Sequence, residues 1–321
     1  MSIWTNTAVV TYSLAEMILF LAGTLAFVVA IGIFRGFDFQ QNNNAQYKLE
    51  KQSYLVRLLI QYALIGKIIL LFYYVYMLDA LAPEIPGAMC AVGVIGTSDW
   101  GLAALLTKII NIFAFGLWLL LDKHDRQFAN FPYTRSKFAL YLLIYGLYLI
   151  EVIFTLQYLL AINPGEAVAC CATVFQQGEN SFGNYASSIK TAIILPLFYG
   201  LFTFLIFFLQ RRYLRLAALF SVLFAFSAIL AVIRFFATYI YELPTHHCPF
   251  CLLQSEYYAI GYVLYSLLFL GTFYALSQWL LKEIWQIDYR RGGKALLYLS
   301  LFVFGVSFYV IRYYLLHGVW L

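Results

Sequence analysis

The sequence predicts an all-helical, polytopic bundle that crosses a membrane about eight times. Three observations carry this expectation. Hydrophobic residues make up 64% of the 321-residue chain and charged ones only 11%, against about 25% charged in an ordinary soluble domain. Mean hydropathy is +0.82. The apolar residues also lie in long runs broken by short charged connections, and about 20 helical residues are enough to cross a hydrocarbon core of about 30 Å. A chain so poor in charge cannot cover itself with a solvated surface. That excludes a soluble enzyme, a disordered regulator and a nucleic-acid binder, and makes the lipid bilayer the expected partner. The runs lack the strict alternation of barrel strands, so helices are predicted.

The spans are expected at 13–34, 55–80, 101–121, 138–162, 189–210, 214–241, 252–281 and 295–317, as one integral membrane domain over 1–321. Met1 to Glu16 hold no Lys or Arg, so no cleavable signal peptide is expected there. Cations concentrate in alternate connections: Arg35, Lys48, Lys51 and Arg57; Lys123, Arg126, Arg135 and Lys137; Arg211, Arg212 and Arg215; Lys282, Arg290, Arg291 and Lys294. The positive-inside rule then puts these four connections in the cytoplasm and both termini outside, in a multi-pass protein of a cell inner membrane. Trp4, Trp100, Trp320 and the Tyr257–Tyr258 pair suit the outer aromatic belt.

Two outer loops look alike. Pro86-Gly87-Ala88-Met89-Cys90 in one corresponds to Pro164-Gly165 followed by Cys170-Cys171 in the other. Gly101 and Gly183 lie 82 residues apart, as do Lys108 and Lys190, and Cys90 and Cys171 lie 81 apart. A two-helix hairpin used repeatedly, each copy presenting cysteine on one face, accounts for this spacing.

All five cysteines, Cys90, Cys170, Cys171, Cys248 and Cys251, fall in the connections predicted to lie outside. Confinement to the oxidising side points to disulfides, thiol exchange or metal binding. The densest stretch is Pro244-Thr245-His246-His247-Cys248-Pro249-Phe250-Cys251. Pro249 suits a first helical turn, which would set Cys248 at the N-terminus of the seventh helix, where free amides favour a thiolate. Cys248 is then expected to be the accessible partner and Cys251 to lie one turn deeper. Leu252 follows the second cysteine where haem attachment would need His, and no His lies mid-span, so no haem is expected. His246, His247 and Met89 could join the thiols as soft ligands for copper as Cu(I). Stabilising disulfides and interfacial histidines are the bland alternatives.

Charges within the spans are costly and point to function. Lys67 and Glu151 are placed near the midplane, within reach of each other. Lys108, Lys190, Arg234 and Arg312 fall in the outer half, where Lys108, Arg234 and Lys190 could steady a thiolate or a quinone-derived anion. Snorkelling to headgroups explains Lys190 and Arg312 equally well.

From Cys248 to Ala275, a Cys-x-x-Cys followed by Tyr257, Tyr258, Ala259, Ile260 and Gly261 resembles the bacterial disulfide-bond-forming quinone reductases and the related vitamin K epoxide reductase family. The resemblance implies a helical bundle passing electrons from a periplasmic thiol protein to a quinone. Cys248 and Cys251 would be the quinone-proximal pair, and Cys90 with Cys170 or Cys171 a shuttle pair. The chain departs from the family in having eight predicted spans rather than about four. It also has Leu252 to Glu256 where the bacterial enzymes carry an Arg soon after the pair. The expected activity is a membrane thiol–disulfide oxidoreductase. The alternatives are a metal-handling or accessory membrane protein, and a transporter or complex subunit with structural disulfides. Oligomeric state is left open.

Overall fold

The computed structural model describes residues 3–36, 44–128, 130–168 and 191–321. Cys170, Cys171 and Lys190, and with them the second copy of the proposed repeat, lie outside the described residues. Among the described residues eight helices are long and apolar enough to cross a membrane. They are α1 (Thr7–Gly36), α2 (Asn44–Leu81), α3 (Asp99–Asp125), α4 (Thr134–Ala161), α5 (Thr191–Gln210), α6 (Leu214–Tyr241), α7 (Ile260–Trp285) and α8 (Gly292–His317). Their outward faces carry residues such as Ile18, Leu25, Val28, Phe226 and Phe304, each more than 60% exposed. That inverts the pattern of a soluble surface and fits hydrocarbon as the solvent.

The helix ends follow local chemistry. Ser98 caps α3 by accepting from the Trp100 N–H at 3.3 Å, Asp99 stands in the first turn, and Lys123 and His124 in the last. Acid at the start and base at the end both complement the helix dipole. Glycine ends α8, Gly318 taking φ 72°.

The chain falls into two compact units, Met1–Pro86 with Val94–Val168, and Gly87–Gly93 with Ala169–Leu321. In the first, α1 packs on α2 and α3 on α4 as hairpins, and α1·α4 and α2·α3 contacts close the four into a ring. In the second, α5·α6 and α7·α8 are the hairpins, joined chiefly through α6·α7. The core of this second unit is aromatic. Phe198 packs at 5.2 Å between ring centroids on both Phe224 and Phe236, and at 6.4 Å on Phe302.

Seven spans match their expected positions to within a few residues, or extend them at the ends, as α2 does by beginning at Asn44. The seventh does not. It was expected from 252 but begins at Ile260. Tyr258 and Ala259 adopt φ 57° and 52°, left-handed values that no helix can pass through. Two three-residue 3₁₀ turns, Cys251–Leu253 and Ser255–Tyr257, fill the gap. They fold back onto the helix start at Gly261, where a Cβ would stand 2.9 Å from the Leu252 carbonyl carbon.

Candidate functional site

The second unit gathers three cysteines that are far apart in sequence. Cys90 lies in the Gly87–Gly93 segment, just before the short helix Ala91–Ile95, and the Gly93 N–H donates to its carbonyl at 3.0 Å. Glycine is needed at position 93 because a Cβ there would stand 2.8 Å from Ala88 Cα. Cys248 and Cys251 lie in the loop between α6 and α7. The Sγ atoms of Cys90, Cys248 and Cys251 all lie within 4.8 Å of one another and all three residues are buried. Cys90 Sγ and Cys248 Sγ are 3.5 Å apart, a contact longer than the 2.05 Å of a disulfide bond.

The loop is held by hydrogen bonds to its backbone. The Tyr241 hydroxyl donates to the Cys248 carbonyl, and the Tyr265 hydroxyl to the Pro249 carbonyl at 2.7 Å. The Gln254 amide donates to the Met89 carbonyl at 3.3 Å, which ties the Cys90 segment to the Cys-x-x-Cys loop. Near its end α6 widens into a π-turn over Val232–Phe236, a feature that recurs at functional sites. His247 Nδ1 lies 3.0 Å from the carbonyl of Ile233 in this turn. A carbonyl only accepts, so Nδ1 carries the proton and Nε2 keeps its lone pair. The His246 ring stands edge-on to Tyr241 at 4.5 Å, and its Nε2 is buried with no hydrogen-bond partner among the described residues.

Burial pushes both histidines below the ordinary imidazole pKa. For His246, charge on Cys90 acts in the opposite direction. For His247, the Ile233 carbonyl opposes the shift while Arg234 and His246 add to it. Both imidazoles are therefore neutral at neutral pH, and His246 is the one that interacts with a sulfur, that of Cys90.

This geometry revises parts of the sequence expectation. Cys248 does not open a helix, because α7 starts twelve residues later at Ile260, so the dipole argument for its thiolate falls away. Nor is it the exposed partner, since Cys248 is 2% and Cys251 5% exposed. Met89 is 72% exposed, whereas the cysteines are buried. Arg234 lies in the second unit, on the π-turn beside His247. Lys108 belongs to the first unit, where its ammonium is held by Glu151.

That first unit contains a polar centre of its own. Each of its four helices supplies one charged side chain: Glu16, Lys67, Lys108 and Glu151. Lys67 Nζ bonds both Glu16 oxygens at 2.6 and 2.8 Å and Glu151 Oε1 at 2.7 Å. Lys108 Nζ donates to Glu151 Oε1 at 2.8 Å and to the Tyr12 hydroxyl at 2.7 Å. Tyr12 in turn donates to Glu16 Oε2 at 3.2 Å, closing the ring. The Asn111 amide donates to Glu151 Oε2 at 2.6 Å. The expected Lys67–Glu151 pair is thus present, but as one side of a larger circuit. Sequence reasoning passed over Tyr12, Glu16 and Asn111. The available signal was a lone carboxylate barely one turn inside an apolar run.

Lys137, read as a loop cation, is buried and paired with Asp122 at 3.1 Å and Asp125 at 2.7 Å. Asp125 also accepts from the Tyr133 N–H at 2.8 Å, clamping the α3–α4 turn. Lys123, Arg126 and Arg135 still give this connection its positive excess.

Compared with protein-family models, curated proteins and solved structures, the chain matches none.

Proposed function

We propose that this chain is an inner-membrane thiol–disulfide oxidoreductase whose sulfur site faces the periplasm or cell exterior. The supporting observation is the convergence of Cys90, Cys248 and Cys251 within 4.8 Å. Three sulfurs within one small approach of each other let a disulfide migrate: a Cys90 thiolate attacks Cys248 of a Cys248–Cys251 bond, forming Cys90–Cys248 and releasing Cys251 as thiolate. The proton lost by Cys90 is regained by Cys251, so no outside reagent enters that step. In net turnover a periplasmic thiol protein supplies two electrons and two protons through Cys90, with Cys170 or Cys171. The Cys248–Cys251 dithiol then gives two electrons and two protons to a membrane quinone, which leaves as quinol. Of the cations expected near the acceptor, Arg234 is the one described in this unit.

Cys251→Ser tests the reading. It should leave Cys248 in a stable disulfide with Cys90, or in a mixed disulfide with a thiol protein, visible on a non-reducing gel. Full turnover in Cys248→Ser and Cys251→Ser, with no trapped species, would refute it.

A specific observation also favours a second reading, a soft-metal site for Cu(I). The group of close ligand atoms is the three sulfurs, without His246, and thiolate suits such an ion; the His246 Nε2 is buried with no hydrogen-bond partner among the described residues. Stoichiometric Cu(I) retention by the reduced protein, lost in each Cys→Ser variant while disulfide exchange is absent, would decide for metal.

A further inference from the structure

Four packed helices do not in general require a charged ring to hold them together. Apolar residues of similar volume commonly replace buried ion pairs without loss of stability, and ionisable groups inside a bilayer are expensive. The ring also borders a cavity of about 10 Å³, lined by Tyr12, Glu16, Lys67, Lys108 and Glu151, which is about the room one water molecule needs.

The two carboxylates are not equivalent. Glu151 receives Lys67, Lys108 and Asn111, and its side chain is 1% exposed. Glu16 receives Lys67 and the Tyr12 hydroxyl, and its side chain is 11% exposed. Lys67 lies between them and can rest on either.

We infer that the first unit contains a proton-exchange site within the membrane, at which Glu16 takes up and releases a proton through water in this cavity while Glu151 keeps its charge. On uptake, one O–H bond forms on the Glu16 carboxyl, its ion pair with Lys67 is lost, and Lys67 stays on Glu151. The ring passes from neutral to a single positive charge, and release restores it. Tyr12 donates to Glu16 and accepts from Lys108, so it reports the change to the third helix. The groups facing Glu16 are Tyr12 from α1, Lys67 from α2, Lys108 from α3, and Tyr148 and Glu151 from α4. This activity is independent of the sulfur chemistry proposed for the second unit.

The test is infrared difference spectroscopy on the full chain in lipid nanodiscs, acidified against neutral, in H₂O and D₂O. The expected result is a carboxylic-acid C=O band with a deuterium shift, absent in Glu16→Gln and displaced but present in Tyr12→Phe. Glu16→Asp, which keeps a titrating carboxyl, should also retain a displaced band. A wild-type protein with no such band overturns the inference without recourse to any variant. So does a band that persists unchanged in Glu16→Gln.

Discussion

Replacing Glu151 with Gln should destabilise the first unit by about 3–5 kcal/mol, the usual cost of stranding one partner of a buried ion pair. The Glu151 carboxylate receives Lys67 at 2.7 Å, Lys108 at 2.8 Å and Asn111 at 2.6 Å. At an effective dielectric of about 20, each ion pair at that separation represents about 6 kcal/mol of attraction. The variant loses this attraction but keeps both lysines out of water. Lys67 still has Glu16 at 2.6 Å. Lys108 is left with the Tyr12 hydroxyl at 2.7 Å and the face of Tyr74 at 4.7 Å, so the loss falls mainly on Lys108. It follows that Lys108→Met combined with Glu151→Gln should recover at least half of it, because the stranded charge is gone and Glu16 still balances Lys67. Denaturant unfolding of the four proteins in detergent gives the double-mutant cycle directly. A loss below about 1 kcal/mol in Glu151→Gln, or a double variant weaker than the single one, would refute the reasoning.

Gly101→Ala should cost about 1–3 kcal/mol by overpacking, because the new methyl would run into the Ile95 carbonyl oxygen and stand 2.9 Å from Tyr158 Cε2; thermal unfolding measures it. Burial lowers the His246 pKa, so the stabilising contribution of the neutral ring is complete above the unfolded value of about 6.5 and shrinks as pH falls from there towards the folded value. Wild type should therefore lose stability relative to His246→Phe below pH of about 6.5, and parallel pH profiles would contradict this. Reporter fusions after Arg35, Lys123, Arg211 and Arg290 should read as cytoplasmic; an external reading at any two would overturn the orientation.

The spans were legible because hydrocarbon imposes one requirement, a long apolar run, and the chain meets it eight times. The start of α7 was not legible. Nothing in Tyr257-Tyr258-Ala259-Ile260-Gly261 demands left-handed backbone at Tyr258 and Ala259, and the break accompanies the packing of Leu252 against Gly261. Cysteine confinement to alternate connections gave the right company for Cys90 and the Cys-x-x-Cys pair. It could not give the 3.5 Å approach of Cys90 to Cys248, 158 residues away, or the burial of all three. Lys67 and Glu151 were readable as partners because opposite charges near mid-span have few alternatives. The pairing of Lys108 with Glu151 was not readable, because its carboxylate lies on α4 and depth along a span does not encode which helix is the neighbour.

The order of charges along the chain bears on how it enters the bilayer. Glu16 is on the first helix and Lys67 on the second, 2.6 Å apart in the finished fold; Lys108 and Glu151, on the third and fourth, meet at 2.8 Å. A helix delivered alone to the lipid carries one exposed charge, an insertion penalty of about 2.5–3.5 kcal/mol. Delivered as hairpins, each pair is already neutral. The remaining bonds, Lys67 to Glu151 and Lys108 to Tyr12, form only when the two hairpins meet. A nascent chain stopped after its third helix would hold Lys108 without its carboxylate, which only the fourth helix brings.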